Sequence, residues 1–185
     1  MNEKDTVRTS KFLSLVLRHK PELIGLELDP NGWASVPELV HKCTLSGNTM
    51  TFEMLEHVVE TNPKKRFAFN DDQTLIRASQ GHSVAIDLGL LPRTPPEILY
   101  HGTAYSSLDA ILENGLKKQS RQHVHLSADK ETAVKVGSRH GKPVVLEVAA
   151  LGMSREGFEF FLSENEVWLV DAVPREFLNI RPTPL

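Results

Sequence analysis

Cysteine is almost absent from this 185-residue chain: Cys43 is the single one. That excludes an internal disulfide framework and any site built from several thiolates. Cys43 itself reads either as a core residue or as a lone reactive thiol. No stretch approaches the ~18 consecutive apolar residues that a membrane-spanning helix needs. The opening MNEKDTVRTSK is polar and carries no apolar signal core, so the expected setting is soluble and cytoplasmic. An excess of basic charge is missing too, with 21 Lys and Arg against 24 Asp and Glu and a formal net charge of -3. A uniformly basic nucleic-acid coat is thereby excluded, and any anion site has to be concentrated locally. The chain also lacks repeats, low-complexity tracts and heptad arrays, which removes solenoid and coiled-coil architectures.

What is present is enough apolar residue, 40% of the chain, to bury one large core or two small ones. Phe12, Leu13, Val16 and Leu17 recur at helical spacing over Ser10 to Lys20, with Lys11, Ser14 and Arg18 on the opposite face. Pro21 disfavours helical geometry at Lys20 and ends that element. Ser35, Pro37 and Glu38 form a helix-start signature with an S-x-x-E capping box, predicting a helix over about Pro37 to Cys43. Thr51 caps another, with Phe52, Leu55, Val58 and Val59 on one side and Pro63 beyond its end. RFAFNDDQTLIRA then reads as two short strands around a turn. The expectation for residues 1–82 is a winged-helix-like lobe. Residues 83–97, with Pro92, Pro95 and Pro96, read as a linker.

Residues 98–185 alternate differently. The predicted order is strand ILYHGT, helix SLDAILENG closed by Gly115, strand HVHLS, helix DKETAVKVG, strand KPVVLEVAA, then FEFFL and VWLVDAV. The expected fold class is therefore α+β.

Basic residues gather as Arg18-His19-Lys20, Lys64-Lys65-Arg66, Arg77 with His82, and Arg139-His140 with Lys142. Each admits a plain explanation. Cations in a last helical turn complement the helix dipole by about 0.3–1 kcal/mol, and Lys64 to Arg66 suit a solvated turn as well as a phosphate contact. His19 shares a helical side with Phe12, Leu15 and Val16, which suits either a satisfied core histidine or a semi-buried functional one. In YHGT, Gly102 lets a ligand approach the backbone while His101 and Thr103 offer hydrogen bonds. His123 and His125 fall on one face of a strand; without a convincing third ligand they suit a small polar ligand better than zinc. Glu164 and Glu166 read as a carboxylate pair or as a solvated turn.

Taken in order, LRHKPE, IRASQGHS, LYHGT, HVHLS, KVGSRHG and ENEVWLV resemble the NAD-dependent tRNA 2'-phosphotransferase family over nearly the whole chain. The resemblance implies an α+β protein with an N-terminal winged-helix-like lobe and a C-terminal ADP-ribosyltransferase-like lobe. It implies an Arg-His-Arg-Arg catalytic tetrad at Arg18, His19, Arg77 and Arg139, with Lys20 and His82 on the substrate. It also implies an NAD site at His101, His125 and Val167, a His-His-hydrophobic version of that fold's signature, flanked by Gly102, Thr103 and Ser127. The implied partner is a tRNA-like RNA bearing an internal 2'-phosphate, with no metal and no obligatory protein partner.

The implied reaction has two steps. The RNA 2'-phosphate attacks C1'' of the nicotinamide ribose and expels nicotinamide, giving an ADP-ribosylated RNA 2'-phosphate. The ribose 2''-hydroxyl then attacks the phosphorus, releasing RNA 2'-OH and ADP-ribose 1'',2''-cyclic phosphate. Arginine suits such work because its charge is permanent and its N–H fork bonds two phosphate oxygens at once. Two rivals stand beside this reading: a one-step mono-ADP-ribosyltransferase, fed by Glu164 and Glu166, and a non-catalytic nucleic-acid module.

Overall fold

A computed structural model describes residues 1–139 and 141–180. The chain forms two compact units, residues 1–89 and 90–185. His140, part of the fourth basic group above, lies outside the described residues. No helix among the described residues is long and apolar enough to cross a membrane.

The first unit opens with α1 (Glu3–Arg18), longer than its apolar spacing predicts. Asn2 accepts a hydrogen bond from the Asp5 N–H at 2.8 Å, a side-chain cap worth about 1 kcal/mol. The added first turns carry few apolar residues, so periodicity alone passes over them. At its other end α1 stops as Pro21 requires, and a 3-10 turn (Pro21–Ile24) follows. The two predicted caps form: Ser35 accepts from the Glu38 N–H to start α2 (Val36–Leu45), and Thr51 from the Met54 N–H to start α3 (Phe52–Thr61). Strands β2 (Phe67–Phe69) and β3 (Leu75–Ala78) form the expected antiparallel hairpin. A third strand, β1 (Ala34–Ser35), adds to β3 in antiparallel register with Ala34 opposite Ile76. Two residues are too few to show a period of two.

Leu13, Val16, Leu17, Leu39, Leu55 and Ile76 are buried completely in the core of this unit. Cys43 belongs to the same core, and burial pushes its thiol up to about 11, which makes it packing rather than a reactive group. The buried Asn62 amide donates to Ser10 at 3.1 Å, fixing the end of α3 against α1. Residues just beyond β3 return to this unit: Ser83 and Val84 donate to the Arg18 carbonyl, and Asp87 to that of Pro30. Farther along, the Arg93 N–H donates to Phe160, within the second unit.

That unit is built on β4 (Leu99–Ala104), β7 (Pro143–Val148) and β11 (Leu178–Ile180), antiparallel in the order β11-β7-β4. A second sheet runs β6 (Val124–Leu126), β9 (Trp168–Val170) and β8 (Phe161–Leu162) in the order β6-β9-β8. The sheets meet where Tyr100 and Ser127 exchange both backbone hydrogen bonds, at 2.9 and 2.8 Å. A short pair, β5 (Leu116–Lys117) with β10 (Ala172–Val173), completes the strands. Helix α4 (Leu108–Asn114) ends at Gly115, as its sequence predicts, and α5 (Lys130–Gly137) starts from an Asp129 cap. Helix α6 (Ala150–Arg155) is a departure from the sequence reading; six residues do not establish a helical period. Leu99, Leu126, Leu146, Val148 and Phe160 anchor the core.

The approach of α5 to β4 sets the shape of this unit. A Cβ built on Gly102 would stand 1.7 Å from the Ala133 carbonyl oxygen, and one on Gly137 would stand 2.7 Å from that of Thr103. Glycine at 102 is therefore required by helix backbone, independently of the ligand approach its sequence suggests. We predict that Gly102→Ala costs about 3 kcal/mol or more, lowering the thermal midpoint by roughly 10 °C. A melting curve matching wild type contradicts this packing.

Candidate active site

The polar residues singled out in the first unit converge on the end of α1. Because the helix stops at Arg18, the carbonyls of its last turn need partners from outside. The Arg18 carbonyl finds them in the N–H groups of Ser83 and Val84, at 2.9 and 3.4 Å. LRHKPE and QGHS are thus joined through main chain although some 60 residues separate them in sequence. The Arg18 guanidinium donates to the Arg66 carbonyl at 3.3 Å and lies 5.9 Å from the Phe67 ring centroid. His19 is not the semi-buried residue its helical position suggests. It caps α1 from outside the helix, is exposed, and places Nδ1 3.0 Å from the Ser83 hydroxyl. Lys20 follows it into solvent.

Arg77 reaches the same region from β3. Ile76 and Ala78 face the core, so period-two alternation turns Arg77 to the other side. Its guanidinium carbon lies 4.4 Å from the Trp33 ring centroid. His82 is only 1% exposed, and no described group hydrogen-bonds either ring nitrogen. Burial first, then the charges of Arg18, His19 and Arg77, push its imidazole down from 6.5 to about 4. Buried Gln80 Oε1 beside it also lacks a partner. Each such atom costs about 1–3 kcal/mol, and groups of this kind concentrate where a ligand is handled.

In the second unit His101 donates from Nδ1 to the His125 carbonyl at 3.0 Å, and Arg121 Nη1 lies 3.1 Å from His125 Nδ1. These partners fix both tautomers. A carbonyl only accepts, so His101 carries its proton on Nδ1 and presents Nε2 as an acceptor; burial, with a smaller contribution from Arg121, lowers its proton affinity and keeps it neutral. An arginine only donates, so His125 carries its proton on Nε2 and presents a donor. The paired histidines therefore offer opposite hydrogen-bonding characters. Thr103 and Ser127 lie beside them, on β4 and at the junction between the sheets.

Val167 closes a turn in which its N–H donates to the Ser163 hydroxyl at 3.1 Å. Trp168 opposite Leu126 brings it to the Ser127 end of that ladder. Glu164 and Glu166 are exposed in the same turn. Arg139 is exposed just past α5, its N–H donating to Val136. His123 stands one residue before β6, and its ring packs 5.8 Å from that of Phe161.

A family model described as RNA 2'-phosphotransferase, Tpt1 / KptA family, matches residues 4–172. Proteins described as probable RNA 2'-phosphotransferases are similar along almost their entire lengths. That of Flavobacterium johnsoniae is 59% identical over 181 residues, covering 98% of this chain and all of the other. The Fusobacterium nucleatum protein is 54% identical over 94% of this chain and 97% of its own. The chain belongs to the RNA 2'-phosphotransferase family.

The family match crosses both units, so it covers the cluster at the end of α1 and the histidine pair alike. Three residues at these places escape the sequence reading. Ser83 lies within IRASQGHS, and its role comes from its contacts to Arg18 and His19, which the sequence does not display. Arg121 stands four residues before His125 in a segment without regular structure, and Trp33 precedes a strand of two residues. Neither had a periodic signal to mark it.

The buried neutral His82 has a measurable consequence. Its proton affinity is lower folded than unfolded, so the unfolded chain takes up more protons between pH 6.5 and about 4, and stability falls as the pH drops through that window. We predict a loss on the order of 3 kcal/mol across it, with His82→Asn flattening the pH dependence of the thermal midpoint. Equal slopes for the two proteins contradict the assignment.

Proposed function

We propose that this protein removes an internal 2'-phosphate from RNA by transferring it to NAD. The observation that carries the reading is the cluster at the end of α1, where Arg18, His19 and Arg77 surround a neutral, buried His82. Three cationic or protonatable groups around an uncharged one suit a phosphate dianion better than a hydroxyl or a neutral base. The first unit, with three helices and a three-stranded sheet, supports a winged-helix RNA lobe. The second, with two three-stranded antiparallel sheets meeting at Tyr100 and Ser127, is read as an ADP-ribosyltransferase-like lobe.

NAD, consumed as co-substrate, supplies an electrophilic ribose C1'' with a nicotinamide leaving group, and a vicinal 2''-hydroxyl. His101 and His125 suit it, one accepting and one donating a hydrogen bond, as a ribose diol and carboxamide require. Thr103, Ser127 and the Gly102 backbone line the same strand ends, and Val167 contributes an apolar contact in place of a carboxylate. The RNA phosphate is already anionic, so the first step needs no general base from the protein. Arg18 and Arg77 orient that phosphate and stabilise the negative charge that grows on its oxygens during transfer to the 2''-hydroxyl, and Arg139 is the fourth residue of the proposed catalytic set. His19, held through Nδ1 by Ser83, directs Nε2 chemistry at the same phosphate, and Lys20 adds screening charge for the RNA backbone.

An oligonucleotide with an internal 2'-phosphate, incubated with NAD, is expected to yield 2'-OH RNA, nicotinamide and ADP-ribose 1'',2''-cyclic phosphate. Persistent 2'-phosphate with an intact NAD pool contradicts the proposal, and ADP-ribose that stays on its acceptor points instead to a one-step transferase. Arg18→Ala is expected to lower turnover of this substrate at least about tenfold, since each charged hydrogen bond contributes on the order of 1.5–3 kcal/mol. Near wild-type rates in that variant remove Arg18 from the machinery.

A further inference from the structure

We infer that Trp33 is a positioning residue for the RNA 2'-phosphate, acting through Arg77, and that the turn Asp29–Trp33 exists to hold it there. The inference rests on the proposed function above. The register that places Ala34 opposite Ile76 and Ser35 opposite Leu75 puts Trp33 directly across from Arg77 when continued by one residue. Direct cross-strand neighbours bring their side chains together on one face. Here the guanidinium carbon sits over the indole, 4.4 Å from the ring centroid, well inside the range of a cation–π contact.

The turn is stiff for its size. Asp29 Oδ1 accepts the N–H groups of both Asn31 and Trp33 at 2.8 Å, and the Asp29 N–H donates to the Trp33 carbonyl at 2.9 Å. The Asn31 amide donates to Asp87, whose own N–H donates to Pro30. Gly32 lies at φ +81°, and a Cβ there would stand 2.7 Å from Ile86 Cδ1 and 3.5 Å from His82 Nε2. The turn is thus wedged beside His82 and presents Trp33 on its far end.

An indole beneath the guanidinium carbon restrains the side chain through its π face and supplies no oxygen acceptor that competes with a phosphate. A long arginine side chain otherwise loses rotamer freedom when it closes on a ligand. Stacking on Trp33 removes that freedom beforehand, so the aromatic seat strengthens phosphate capture without touching RNA.

The test titrates a 2'-phosphorylated oligonucleotide and its 2'-hydroxyl counterpart against wild type, Trp33→Leu, Trp33→Phe, Arg77→Ala and the Arg77→Ala/Trp33→Leu double variant. Trp33→Leu is expected to weaken the phosphorylated oligonucleotide by roughly tenfold and the hydroxyl one by less than about twofold, with Trp33→Phe recovering most of the loss. In the Arg77→Ala background the same substitution adds less than about twofold, because its effect runs through the missing guanidinium. An equal loss in both backgrounds, or on both oligonucleotides, overturns the seat. If Trp33→Leu fails to fold, Trp33→Met, which keeps bulk without an aromatic face, takes its place in the same cycle. A wild type that does not discriminate the oligonucleotides overturns the proposed function itself; discrimination that survives Trp33→Leu overturns the seat alone.

Discussion

The Arg18 carbonyl is the point on which the first unit's chemistry depends. A helix must leave its final carbonyls without internal partners, and Pro21 fixes where α1 leaves them. The main-chain N–H groups of Ser83 and Val84 fill that need. One consequence is that the segment after β3 cannot drift from the helix end, so His82 is buried beside Arg18, His19 and Arg77. A second is that His19, outside the helix, meets the Ser83 hydroxyl. The termination of a helix and the assembly of the cluster of Arg18, His19, Arg77 and His82 are thus the same event.

The second unit shows a comparable economy around β4. Its backbone bonds to β7 along one edge and meets Ser127 at Tyr100, while α5 presses on it at Gly102. These contacts fix His101 against His125 closely enough that each ring's hydrogen-bonding character follows from its neighbour. Site residues here inherit their orientation from a sheet junction and a tight helix contact, both more rigid than a loop would be.

Much of this was legible in the sequence because strong local signals coincide with it. Ser35 and Thr51 cap helices where their spacing predicts, Pro21 ends α1, and the β2–β3 hairpin forms around its turn. What was not legible has physical causes. Strands of two residues and a helix of six carry no measurable period, so β1, β5 and α6 escaped. His19 looked semi-buried because helical periodicity was extended one residue past the helix. The reason for Gly102 could not be read from its neighbours, since Ala133 lies some 30 residues away. Trp33 and Ser83 meet partners distant in sequence, which motif spacing does not report, and Arg121 stands in a segment without regular structure.

The central claim is that the cluster at the end of α1 holds the RNA 2'-phosphate. Phosphorus NMR tests it most directly, using an oligonucleotide with one 2'-phosphate and the protein without NAD. The account predicts that the 2'-phosphate resonance shifts on binding and that this shift disappears when Arg18 and Arg77 are both replaced by alanine. A 2'-phosphate resonance that stays at its free position while the backbone phosphates shift would contradict it.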